Sequence, residues 1–154
     1  MANYVPLRNY MIYCLDKLIK QHQLSPPFLD AGCGVGHYSL HLARKGWCGT
    51  AVDFSGDAVK LAQERLATET CVVVRETNIM ELTGVFNSII AFDVLEHVED
   101  DIGFLRKLRT LVSIDGAAVI CVPSNPGEWR WDDPFYGHYR RYAPDDVRVK
   151  LRTA

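Results

Sequence analysis

Apolar residues recur along this chain in two alternating rhythms. Leu7, Met11, Leu15, Leu18 and Ile19 follow helical spacing, and Lys17 and Lys20 close the pattern where cations suit a helix dipole. Ser25-Pro26-Pro27 then breaks the chain. A short run, Phe28 and Leu29, ends at Asp30 and predicts a first strand. Leu40, Leu42 and Ala43 predict a helix that stops at Gly46, and residues 47–52 predict a second strand ending at Asp53. Ser55 is a suitable N-cap for a helix with Asp57 in its first turn and Val59, Ala62 and Leu66 on one face. Residues 71–74 and 87–92 read as strands three and four, with Ile89, Ile90 and Ala91 inside the latter. Phe104, Leu105, Leu108, Leu111 and Val112 form the next amphipathic face. Asp115-Gly116 reads as a turn, and residues 117–122, apolar throughout, as a fifth strand buried on both faces. Strands that alternate with helices in this way predict an α/β, doubly wound parallel sheet with right-handed crossovers.

The rhythm is lost after Pro123. Residues 123–143 carry Trp129, Trp131, Phe135, Tyr136, Tyr139 and Tyr142 with His138 and three arginines. A loop this long in a compact domain is expected to be functional or mobile. Asp145 and Asp146 then start a last short helix.

Chemistry concentrates in residues 28–54, which run strand, glycine-rich turn (Gly32-Cys33-Gly34-Val35-Gly36), helix, strand, acid. Glycines let a backbone approach a ligand closely, and an acid ending the next strand accepts hydrogen bonds from ribose hydroxyls. The dinucleotide fingerprint does not fit: the third glycine comes one residue early, and His37 stands where that fingerprint has glycine. Asp30 would repel a pyrophosphate and suits an ammonium group. A ligand with ribose, adenine, amino and carboxylate groups satisfies the set.

The segment D-A-G-C-G-V-G, Asp30 to Gly36, resembles the first motif of class I S-adenosylmethionine-dependent methyltransferases. Asp93-Val94-Leu95-Glu96-His97-Val98 is similar to the D-V-L-E-H-V segment after strand four in a broad small-molecule group of that family. The resemblance runs from about Leu7 onward. It implies S-adenosylmethionine as cofactor, with Asp30, Gly32, Cys33, Gly34, Gly36 and His37 around its methionine end. It further implies Asp53 at the ribose, Phe54, Asn78 and Ile79 at the adenine, and Phe92 and Asp93 near the methyl group. Many members carry an aspartate where Asn78 stands, and an asparagine oxygen can accept the same hydrogen bond. The first helix borders the cofactor cleft in the family, so Tyr4 or Tyr10 could touch the ligand, although a helix that simply covers the sheet explains both tyrosines. The segment from Gly137 to Pro144 resembles one that lies over the substrate pocket. Trp129, Tyr136, His138, Tyr139 and Arg140 are therefore expected at the acceptor, with His138 and His97 as candidate general bases.

With 154 residues, the chain suffices for a single domain: residues 1–26 a helix and linker, 27–123 the cofactor-binding core, 124–154 the aromatic loop and last helix. Net charge −2 supplies no field to recruit nucleic acid or an anionic membrane. No apolar stretch is long enough for a bilayer, and the N-terminus does not resemble a signal peptide. Five cysteines without a C-x-x-C pair predict free, mostly buried thiols and a cytoplasmic location. His37 and His41 lie one helical turn apart with no third ligand at suitable spacing, so no metal is expected. The acceptor is expected to be a small molecule. Two other functions fit less well: a nicotinamide-dependent oxidoreductase, and a non-catalytic cofactor-binding or protein-interaction domain. Members of the resembling family have seven strands, whereas five are counted here. The sequence thus looks like a member cut short, with strands six and seven missing. Strand five would then lie at the sheet edge, where a second copy could pair with it as a homodimer.

Overall fold

The computed structural model describes residues 6–131 and 133–154. Tyr4 lies outside the described residues. Helix α1 (Pro6–Gln21) leads into β1 (Phe28–Ala31), α2 (His37–Ala43), β2 (Gly49–Asp53), α3 (Gly56–Arg65) and β3 (Val72–Glu76). Then follow β4 (Phe86–Phe92), α4 (Asp101–Leu111), β5 (Val112–Cys121) and α5 (Pro144–Thr153). The five strands are all parallel, in the order β3-β2-β1-β4-β5. The winding reverses between β1 and β4, and a crevice opens beyond the carboxyl ends of strands at such a point.

Side chains of the central strands alternate between two cores. Leu29, Ala31, Ile89 and Ala91 pack with Phe104, Leu105, Leu108 and Leu111 of α4 on one face. Phe28, Ile90 and Phe92 pack with Leu15 of α1 and Leu42 of α2 on the other. Both faces of β1 and β4 are therefore buried, which explains why their sequences are nearly continuous apolar runs. At α3, Ser55 accepts a hydrogen bond from the Ala58 N–H, the capping geometry its sequence predicts.

Three expectations need correction. Asp115-Gly116 forms no turn, because β5 runs through it. Phe86 pairs with Val112 and Ser88 with Ala117, so four residues of β5 stand against Asn87 alone. Gly116 fits this bulge because a Cβ there would lie 2.7 Å from the Asn87 carbonyl oxygen. Secondly, β5 is not buried on both faces. It is the sheet edge, the position expected for it, with Ile114 fully exposed, and the described residues form no sixth or seventh strand. Thirdly, Cys48 and Cys71 are not free thiols. They immediately precede the paired residues Gly49 and Val72, and at a Cα separation of 4.6 Å they form a disulfide. Cys14, Cys33 and Cys121 remain free.

Candidate functional site

A cavity of about 760 Å³ opens at the reversal point. Gly32, Cys33, Gly34 and His37 line one side, Asp53, Phe54, Asn78 and Ile79 a second, and Phe92, Asp93, His97 and Tyr136 the far end. Its size suits a drug-sized ligand.

The glycine loop owes its shape to two close approaches. A Cβ at Gly32 would lie 2.5 Å from Val94 Cγ2, and one at Gly36 would lie 3.1 Å from Ala62 of α3. Gly36 thus serves helix packing and is not part of the cavity wall. Gly34 differs: nothing lies within 4 Å of a Cβ built there, but its φ of +51° is in the left-handed region. Its N–H donates to Asp53 Oδ2 at 2.8 Å, and the Ser55 N–H donates to Asp53 Oδ1 at 2.9 Å. These two bonds aim the carboxylate, and each oxygen keeps a lone pair for a ligand. Phe54 beside it is 79% exposed, so it is a rim residue and not core.

Asp30 lies beneath the loop, fully buried, and Oδ2 accepts from the Ser39 hydroxyl at 2.6 Å. Burial pushes its carboxyl up to about 6, against the pull of Ser39. It ties β1 to Ser39 of α2 and does not line the cavity. His37 does line it, with the Arg8 and Arg65 guanidinium groups against its ring. Burial first, then these two cations, lower its pKa to about 4, so the ring is neutral at pH 7. His41 turns away to pair with Asp16 at 2.8 Å. Asn78 caps a short 3₁₀ turn, its Oδ1 accepting from the Met80 N–H at 2.9 Å. That leaves one lone pair and the amide N–H₂ for a ligand.

Asp93 directly follows β4 at φ +54°, unusual for a residue other than glycine. Burial raises its pKa while His97 and His138 oppose the rise. The D-V-L-E-H-V segment is a single 3₁₀ turn, Leu95–His97, and it buries Glu96 completely. Burial raises the Glu96 carboxyl to about 7, and Oε2 has no hydrogen-bond partner. His97 stands edge-on to His138, ring centroids 4.8 Å apart. Burial lowers the His97 pKa, as does His138.

The aromatic loop is fastened by two buried carboxylates. Asp133 accepts from His138 Nδ1 at 2.7 Å, Arg141 Nε at 2.9 Å and the Arg130 N–H at 2.7 Å. Arg141 foremost holds its carboxyl far below the ordinary range. Asp101 accepts from the Tyr142 hydroxyl at 3.0 Å and pairs with Arg140 at 2.7 Å and Lys150 at 2.9 Å. The Tyr139 N–H also donates to the Glu96 carbonyl at 2.7 Å.

Of the expected acceptor residues, Tyr136 reaches the cavity and His138 stands behind His97. Trp129 and Tyr139 lie outside it and are half-exposed, and the Arg140 guanidinium is taken by Asp101 and the Glu99 carbonyl. Tyr10 is likewise exposed and outside the cavity. Sequence reasoning missed Tyr38, Met80 and Phe104 in the wall, the burial of Glu96, and Asp133. Only Tyr38 carried a signal, lying one residue past His37 at the start of α2.

The family model described as "Methyltransferase domain" matches residues 7–154. A ubiquinone biosynthesis O-methyltransferase from Caulobacter sp. (strain K31) is 33% identical over 141 residues, covering 80% of this chain and 56% of that protein. One of the same name from Methylocella silvestris is 37% identical over 92 residues, 57% of this chain and 36% of that protein. The chain thus spans about half or less of the curated relatives it matches. Among solved structures, N-methyltransferase NodS from Bradyrhizobium japonicum WM9, in complex with S-adenosyl-L-homocysteine, superposes with a TM-score of 0.78 at 19% identity, covering 99% of this chain and 76% of that one. Coclaurine N-methyltransferase, bound to N-methylheliamine and S-adenosylhomocysteine, gives 0.66 at 25% identity over 80% of this chain and 39% of that one. The chain belongs to the class I S-adenosylmethionine-dependent methyltransferase family.

Proposed function

We propose that the cavity binds S-adenosylmethionine and that the chain transfers its methyl group to a hydroxyl of a small-molecule acceptor. The observation that carries this reading is the aimed Asp53 carboxylate, held by Gly34 and Ser55 N–H groups on the cavity wall beside the exposed Phe54 ring. It suits a ribose with an adenine stacked at the rim. Asn78 and Ile79 serve the adenine edge, and Gly32, Cys33, Gly34 and His37 the methionine end. The neutral His37 keeps Arg8 and Arg65 nearby, which favours a carboxylate there. Asp30 acts through Ser39, which fixes the start of α2 to the end of β1.

When bound, the cofactor supplies an electrophilic methyl on a sulfonium, so the protein's task is positioning and exclusion of water. Phe92 and Tyr38, packed edge-to-face at 4.8 Å, form an apolar wall beside Asp93. Tyr136 and His97 border the acceptor end, and His97 or His138 takes the proton of an acceptor hydroxyl. The curated relatives are O-methyltransferases by name, which favours oxygen over nitrogen as the attacked atom. The glycine spacing and the buried Asp30 argue against a nicotinamide cofactor.

Among the described residues, no helix is long and apolar enough to cross a membrane. A net charge of −2 supplies no field for a nucleic-acid partner, and the Cys48–Cys71 disulfide removes the free-thiol ground for a cytoplasmic location. Homodimer pairing along β5 remains our reading for its uncovered edge, although Asp115, exposed within that strand, partly guards it. The acceptor is tested by mass spectrometry of ligands that co-purify with the chain. A methylatable phenol or alcohol supports the proposal; a nicotinamide nucleotide in the cavity overturns it.

A further inference from the structure

Glu96, His97 and His138 each offer a ligand atom, and the three atoms lie within 4.8 Å of one another. Spacing along the chain hides this, since His138 comes from the aromatic loop. Three features make the cluster more than proximity. Glu96 is 1% exposed and its Oε2 has no hydrogen-bond partner. Leaving a buried carboxylate oxygen unpaired costs about 1–3 kcal/mol or more, and a bound cation removes that cost. Each histidine also has its Nδ1 engaged elsewhere: His97 with the Gly137 carbonyl at 3.3 Å, His138 with Asp133 Oδ1 at 2.7 Å. A donor N–H at Nδ1 leaves Nε2 as the free lone pair on both rings. That is the outer arrangement of metal-bound imidazoles, whose second nitrogen donates to a carbonyl or carboxylate. Finally, Asp133 is itself fixed by Arg141 and the Arg130 N–H, so the His138 ring is oriented in advance.

We propose that Glu96, His97 and His138 form a divalent-cation site at the acceptor end of the cavity, with Asp133 as the residue that positions His138. Two imidazoles and one carboxylate suit a first-row ion such as zinc, cobalt or manganese better than magnesium. Ligand bonds of about 2.0–2.2 Å would draw the three atoms roughly an ångström closer. His97 lines the cavity, so the ion's remaining positions are open to it. They suit an acceptor that offers a hydroxyl with a second oxygen beside it. Coordination there lowers the hydroxyl pKa, and the proton leaves to water before the oxygen attacks; with the ion bound, His97 and His138 are ligands, and water replaces them as proton acceptor. This acceptor class rests on the methyl-transfer reading; the ion site itself does not.

The test uses the full chain stripped of metal by a chelator and titrated with cobalt(II) and, separately, zinc(II), with S-adenosylhomocysteine binding measured on each sample. The expected result is one bound ion per chain and a cobalt visible spectrum of nitrogen–oxygen ligation. Asp133→Asn should weaken the ion about 10–100-fold. Glu96→Gln and His97→Ala should weaken it further, with S-adenosylhomocysteine affinity retained. His97 is exposed, so His97→Ala keeps the test decisive should Glu96→Gln misfold. No saturable binding by the unaltered chain overturns the site, as does equal affinity in His97→Ala. Loss of S-adenosylhomocysteine binding in the unaltered chain would instead count against the cofactor reading, leaving the ion result to stand alone.

Discussion

The glycine loop and the aromatic loop face each other across one cavity, yet they are held by different means. Residues 32–36 are shaped by backbone: left-handed glycines, approaches too close for a Cβ, and one N–H to Asp53. Residues 129–142 are shaped by side chains: Asp133 and Asp101, both buried, collect arginine, lysine, histidine and tyrosine donors from distant positions. A backbone-determined wall reads as a short motif. A wall fastened by long-range ion pairs does not.

The largest effect should come from cutting a stake of the second wall. Asp101→Ala strands Arg140, Lys150 and the Tyr142 hydroxyl. We expect a loss of about 2–3 kcal/mol in denaturant unfolding, below the 3–5 of fully buried pairs because both cations are more than a quarter exposed. Hydrogen exchange should rise at the amides of Tyr139 and Tyr142 and stay low in β4. If unfolding free energy and exchange are unchanged, Asp101 does not hold the loop.

On the first wall, Gly34→Val forces a branched residue to φ +51° and should cost about 1–2 kcal/mol of stability. Its cost to cofactor affinity, read by calorimetry, should be larger, since the side chain projects into the space a ligand needs. Equal losses in both would mean the loop is structural only. Phe54→Ala should change stability by less than about 0.5 kcal/mol, as for most exposed sites. It should weaken cofactor binding only a few-fold, and an unchanged dissociation constant would remove the ring from the adenine.

The two walls should also respond oppositely to pH. Lys150, Arg140 and Tyr142 together outweigh burial and hold the Asp101 carboxyl below its ordinary value of 3.8. Its contribution is therefore present above pH 3.8 and lost as pH falls toward the depressed native value. Asp30 is raised from 3.8 to about 6, so its contribution is present below 3.8 and lost as pH rises through about 6. Asp30→Asn should flatten the stability profile between those values. A profile that keeps its slope there would show that Asp30 is not the titrating group.

The same contrast explains what could be read from sequence. Phe28-Leu29 and Ile89-Ile90-Ala91 announced their strands because burial on two faces leaves few polar residues, and α3 and α4 announced themselves by one apolar face at helical spacing. Asp53 and Phe54 were legible because a strand end followed by an N-cap fixes their direction locally. The bulge at residues 113–116 was not, since Asp115-Gly116 carries the same composition in a turn and in a bulge. The burial of Glu96 was not legible either, because Tyr139, whose N–H reaches the Glu96 carbonyl, and His138 come from about 40 residues further on. Arg140 looked like a substrate ligand for want of its partner 39 residues earlier, Asp101. The Cys48–Cys71 bond depends on the pairing of β2 with β3, which no spacing in the sequence encodes.

Titration calorimetry of S-adenosylmethionine against the chain and against Asp53→Ala tests the central claim most directly, with NAD as the competing ligand. The account predicts one S-adenosylmethionine site, no NAD binding, and a roughly ten- to hundred-fold weaker site in Asp53→Ala, the worth of charge-assisted hydrogen bonds of about 1.5–3 kcal/mol. Binding of NAD in place of S-adenosylmethionine, or an unchanged dissociation constant in a folded Asp53→Ala chain, would contradict it.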